Sequence, residues 1–191
     1  MRKTLISMAA MTAVLIPAAA LAQRSAVLVV DTDRILSECT ACRAASTQIQ
    51  AQVNSARQRA QTLETQLRTE AQGLETQVKA LGGRQPDAAL QQKITAFQTK
   101  QQQARTELAN RESQIQSIQT HVQQQIGTRT VQIAEQIRAR RQASVVMAKQ
   151  SLMAAEASAD VTGEVLAALN QQLPSVSVTP LPQQPRPAQG R

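Results

Sequence analysis

Apolar and polar positions divide the chain into a short strand-like run, two very long helical runs and a mixed closing segment. Residues 25–31 read SAVLVVD, where Val27, Leu28, Val29 and Val30 form a β-branched run of strand length with polar flanks. Asp31, Thr32 and Asp33 supply N-cap oxygens for a helical turn over residues 34–39. From about Cys42 to Leu81, apolar residues recur at Ile49, Val53, Ala56, Ala60, Leu63, Leu67, Ala71, Leu74, Val78 and Leu81. These steps of three and four, with one stutter at Leu67, make a coiled-coil seam. About forty residues of helix extend about 60 Å.

The six residues 82–87, GGRQPD, then stop the helix. Two glycines permit a left-handed C-cap, proline cannot continue the ladder, and Asp87 caps the next helix. That second helix is predicted from about Ala88 to Arg141, with Leu90, Ile94, Phe97, Ala104, Leu108, Ile115, Ile118, Val122, Ile126, Ile133 and Ile137 along its seam. So short a break makes the two helices antiparallel neighbours. At Ala143 the period changes. Residues 144–157, SVVMAKQSLMAAEA, predict two short strands with a turn near Lys149-Gln150. Asp160 then caps a helix over residues 161–171, with Val161, Val165, Leu166 and Leu169 on one face. From Pro174 the chain is proline-rich and poor in apolar residues, which reads as a disordered tail, 174–191.

The predicted organisation is a helical hairpin arm over 43–141, with its tip at 82–87, on a small β-rich base built from 23–42 and 142–173. The fold class is mainly α with a small β body. A few short strands and one helix are too small to stand alone, so the base is expected to oligomerise.

The N-terminus adds a compartment. Arg2 and Lys3 precede a short apolar stretch, and Ala20-Leu21-Ala22 is an A-x-A cleavage signal, so residues 1–22 read as a signal peptide cleaved after Ala22. The remaining chain has no Trp or Tyr and one Phe, Phe97, which suits long helices burying a narrow stripe rather than a large core. Without Arg2 and Lys3 it carries 19 basic and 13 acidic residues, a net charge of +6. An exported basic protein points to acidic partners: anionic lipid, acidic polypeptide or lipopolysaccharide. Nucleic acid is a poor candidate, since aromatic stacking platforms are missing.

The surplus charge lies on the arm, with 14 basic against 7 acidic residues between Arg43 and Arg141. On an ideal helix Lys93, Lys100 and Arg111 fall within about 20° of one another, beside the Phe97 stripe. This row reads either as a cationic rail for an acidic, amphipathic ligand or as a solvated face, with Glu107 pairing Arg111 at i,i+4. Leu81 and Leu90 near the tip, and Phe97, are further candidate contacts. His121 has no carboxylate or cysteine at ligand spacing, so no metal site and no catalytic constellation is legible, and no cofactor is implied.

Cys39 and Cys42 form a C-x-x-C pair. Arg43 comes next in place of the histidine of a haem site, further zinc ligands are missing, and no βαβ unit is present for a thioredoxin-like centre. An intrachain disulfide, an inter-subunit bridge and two packed thiols remain open.

In order along the chain, AVLVVDTDRIL (26–36), a long Gln-rich basic hairpin and ASVVMAKQSLMAAEASADVTGEVLAALNQQL (143–173) resemble the Skp/OmpH family of periplasmic chaperones. The closing helix reads Asp160-Val161-Thr162-Gly163-Glu164-Val165-Leu166 at the family's "D-V/I-T-x-x-V-L". The resemblance implies a jellyfish-shaped homotrimer with a β-barrel body and helical tentacles. It also implies an ATP-independent holdase for unfolded outer-membrane proteins in the periplasm, without enzymatic chemistry. A coiled-coil spacer or adaptor binding one folded envelope partner is the alternative function. A thiol oxidoreductase using Cys39 and Cys42 is a third.

Overall fold

The computed structural model describes residues 27–180, so the signal-peptide reading of residues 1–22 lies outside it. The first element is β1, Val27–Val30, with three of its four residues buried. Asp31 ends it and caps α1, Thr32–Glu38, by accepting the Arg34 N–H at Oδ1 (3.0 Å). Cys39 sits in extended backbone (φ −64°, ψ 134°), closing α1 and opening α2, Thr40–Lys79. Gly82 (φ 58°) and Gly83 (φ 92°) take the left-handed turn at the tip. Asp87 Oδ1 accepts the Leu90 N–H at 2.8 Å and starts α3, Ala88–Arg140.

The arm is antiparallel, as its sequence requires. Its cross-links run backward along α3 as they advance along α2: Arg59 meets Glu107, Glu70 meets Lys100, and Gln77 meets Lys93. The longer α3 extends about 80 Å and carries its last turns into the base. There Ile133 and Ile137 are buried in one cluster with Leu28, Val30, Ile35, Val165 and Leu169.

Two expectations for the base need correction. The closing segment contributes one strand, β2 (Val145–Ala148), and not two. Nor does it form a hairpin. β2 pairs in parallel with β1, Val27 opposite Val145 and Val30 opposite Ala148, so the whole arm is the crossover between two neighbouring strands. After a 3₁₀ turn at Lys149–Ser151, the chain passes to the other side of β1. Val161 N–H donates to the Val29 carbonyl (2.9 Å), and Val29 bridges Asp160. The physical reason is backbone satisfaction: buried β1 has two edges, and β2 covers only one.

The last helix, α4 (Thr162–Gln172), buries Val165 and Leu169 together with its N-cap residue Val161, while Leu166 is half-covered. Asp160 Oδ1 accepts the Thr162 N–H (2.9 Å). Thr162, wholly buried, accepts the Asp31 N–H at its Oγ1 (2.8 Å), tying α4 to the end of β1.

Candidate functional site

The arm is the extended surface of the molecule, and its geometry comes from two helices trying to bury one seam. With one partner each, most seam residues stay half-covered: Val53, Leu63, Leu67, Leu74, Ile94, Phe97, Leu108 and Ile115 are all only partly buried. Val78 is 43 % exposed. Leu90 and Ala104 are isolated buried points on the outer arm, and burial becomes continuous toward the base, at Ile118, Val122 and Ile126. The result is a long, shallow apolar band with polar flanks.

Each candidate contact has a definite place in this frame. Leu81 is half-covered at the tip, whereas Leu90 is buried beneath it and belongs to the hairpin's packing. Phe97 is a half-covered seam residue. Two of the three cations of the row bond across to α2 and the third bonds within α3, while Lys93 and Lys100 stay exposed and Arg111 half-exposed. Lys100 Nζ lies 2.8 Å from Glu70 Oε2, and Lys93 Nζ donates to Gln77 Oε1 at 2.9 Å. Arg111 Nε donates to Glu107 Oε1 at 3.1 Å, the expected i,i+4 pair. Sequence reasoning missed the second half of that cluster. Arg59 on α2 donates two bonds to Glu107, both at 2.9 Å. Together the two guanidinium groups hold the Glu107 carboxyl down at about 2, with Arg59 the larger cause. Helical periodicity places residues on one helix and is silent about the opposite one, so nothing in the chain's order flags Arg59. Among the described residues Arg57 and Arg105 have no carboxylate partner, so they present unneutralised charge on the arm.

At the shoulder, the Cys39 and Cys42 sulfurs lie at bonding distance, 2.08 Å, with Cα atoms 5.1 Å apart. An i,i+3 bridge needs a distorted turn, and the break between α1 and α2 supplies it by leaving Cys39 outside both helices. Both residues are buried. Further along, His121 is half-covered and its Nδ1 lies 3.2 Å from the Thr179 carbonyl oxygen. No group of three or more His, Cys, Asp or Glu fit to hold a metal occurs among the described residues. No described helix is long and apolar enough to cross a membrane.

Comparison with known proteins bears on the same segments. The model of the family described as "Outer membrane protein (OmpH-like)" matches residues 26–169, from β1 into α4. The chain belongs to the OmpH-like family. A crystal structure of an OmpH-like protein from Caulobacter crescentus CB15, at 2.83 Å resolution, shares the fold with a TM-score of 0.69. The similarity covers 83 % of this chain and 91 % of that one, at 16 % identity. No curated protein matches the chain. Both similarities span the arm and base together, so the family is defined by the whole arrangement and not by the coiled coil alone.

Proposed function

We propose that this protein is an ATP-independent periplasmic holdase that binds unfolded outer-membrane proteins along its arms and prevents their aggregation. The observation that carries this reading is the half-covered seam, a shallow apolar band about 40 Å long, from Val53 on α2 to Leu81 at the tip. An unfolded barrel precursor, with alternating apolar and polar residues, fits such a surface through many weak contacts. The OmpH-like family supports a general role as an outer-membrane-protein chaperone. Binding by exchangeable contacts needs no nucleotide and no covalent step.

A homotrimeric base belongs to this proposal, and its support lies around β2. A groove lined by Val131, Val145, Val146 and Met147 runs along the strand. Val131 is 69 % exposed on one wall, and the buried Thr130 Oγ1 beside it has no hydrogen-bond partner. The segment expected as a second strand, 152–157, leaves the base with Met153 fully exposed. β2 has β1 on one edge only among the described residues, and this open edge beside an apolar groove suits pairing between copies.

The function is tested by diluting a urea-unfolded outer-membrane barrel protein into buffer with increasing amounts of the purified chain. Suppressed light scattering at stoichiometric amounts is expected. No suppression at any excess rejects the holdase and favours an adaptor for a folded envelope partner. Affinity should also weaken with added salt, since exposed charges are screened over about 8–10 Å. Because Lys100 and Arg111 are already paired, changing Arg57, Lys93 and Arg105 together to Ala should weaken client binding about fivefold. Changing Lys100 and Arg111 should weaken it less.

A further inference from the structure

Residues 174–180, which open the segment expected as a tail, run along α3 in extended contact. Gln125 on α3 takes both backbone groups of Ser177: its Nε2 donates to the Ser177 carbonyl at 3.0 Å, and its Oε1 accepts the Ser177 N–H at 2.9 Å. One primary amide thus offers what a neighbouring β-strand would offer. One turn earlier on α3, His121 Nδ1 donates to the Thr179 carbonyl at 3.2 Å. The spacings match: four helical residues rise about 6 Å, and two extended residues rise about 6.6 Å. On either side of Ser177, Val176 and Val178 pack against the core cluster. On the outer side, Ser177 Oγ and Thr179 Oγ1 lie 2.7 Å apart.

The geometry points to the α3 face of His121 and Gln125 as a docking site for an extended polypeptide with apolar residues at alternate positions, filled in cis by residues 174–180. Three features carry this assignment. Every hydrogen bond from α3 reaches main-chain atoms, so recognition is indifferent to the polar side chains between the valines. The two inward side chains stand at i and i+2, the period of a strand with one apolar face. That is also the period of a membrane-barrel strand. The inference rests on the chaperone reading for its natural competitor, an extended segment of a barrel precursor.

Occupation in cis has a consequence for affinity. The strap begins directly after Leu173, and Ser177 is only four residues beyond it. A tether this short holds the strap at an effective concentration in the millimolar range. A short free peptide then competes poorly. A long client, held elsewhere along the arm, gains a comparable local concentration and displaces the strap. The strap therefore acts as a filter for length.

The test uses the full chain and a fluorescein-labelled peptide, PSVSVTP, matching residues 174–180. Ser177→Pro removes the N–H that Gln125 accepts, at an exposed position, and should free the site. The Ser177→Pro chain is expected to bind the peptide at least ~10-fold tighter than wild type by fluorescence anisotropy. Adding Gln125→Ala to it should abolish that gain. Hydrogen exchange gives a second reading in the wild-type background: the Ser177 amide should be protected, and Gln125→Ala should remove the protection. Equal peptide binding by wild type and Ser177→Pro, including no binding by either, overturns the site. An unprotected Ser177 amide in wild type overturns it as well. The same preparations enter the aggregation assay. Intact suppression with no peptide difference removes this site alone, whereas absent suppression in wild type removes the chaperone reading.

Discussion

Glu107 shows how one side chain can set the register of the arm. It accepts from Arg59 across the hairpin and from Arg111 along α3, and both partners are half-exposed. Its carboxyl is lowered from 4.5 to about 2. The folded state therefore binds that proton less readily than the unfolded chain, so the pair adds stability above pH 4.5, lost as pH falls toward 2. Glu107→Gln should flatten this part of the thermal stability profile, measured by circular dichroism from pH 5 to 2. Parallel profiles for wild type and variant would discard the assignment. Cys39 and Cys42 belong to the same scale. With their sulfurs bonded, a loop of this length contributes about 2 kcal/mol in the chain-entropy view. Cys39→Ser with Cys42→Ser should cost about that much in urea unfolding. Serine keeps an acceptor for the Cys42 N–H, which Cys39 Sγ now takes at 3.0 Å. Aggregation suppression should not change, and a large loss of it would revive a thiol role.

Among the elements, the ends of α3 behave differently. Its start obeys sequence rules closely, with glycines in the left-handed turn and Asp87 as cap. Its end does not. Gln142 adopts φ 53°, and the Ala143 N–H returns to the Arg138 carbonyl (3.0 Å) while the Gln142 N–H returns to Ala139 (3.2 Å). This is a helix stop normally built around glycine. A side chain in that conformation is strained by about 1 kcal/mol. Gln142→Gly should raise the unfolding free energy by roughly that amount. A destabilised variant would mean that the Gln142 side chain has a compensating role. The change of period at Ala143 announced that α3 ends here, but not how it stops.

At the scale of the molecule, the base is a small body carrying a long helical arm. Among the described residues β1 has both edges covered and β2 one, and 152–157 forms no strand. Light scattering on the purified chain should give the mass of a trimer at micromolar concentration. Val131→Glu with Met153→Glu places charge on the two most exposed apolar side chains of this region, 69 % and 107 % exposed. The mass should then fall to that of a single chain. A wild-type monomer would remove the trimer from the proposed function, and an unchanged variant would place the interface elsewhere.

Periodicity by itself determined the arm. Steps of three and four over such lengths have one solution, and a six-residue break with two glycines and a proline leaves two helices no arrangement but antiparallel. The strand before the arm and the helix after it were equally legible, because β-branched runs and caps are local signals. What tertiary structure decided lies between distant residues. Sequence order cannot say that β1 and β2 pair in parallel, that Arg59 reaches Glu107, or that Lys100 faces Glu70. The proline-rich segment 174–191 reads as a disordered tail from its sequence, yet residues 174–180 are held against α3, while 181–191 lie outside the described residues. Gln125, some fifty positions earlier, supplies the backbone partners that the segment itself lacks.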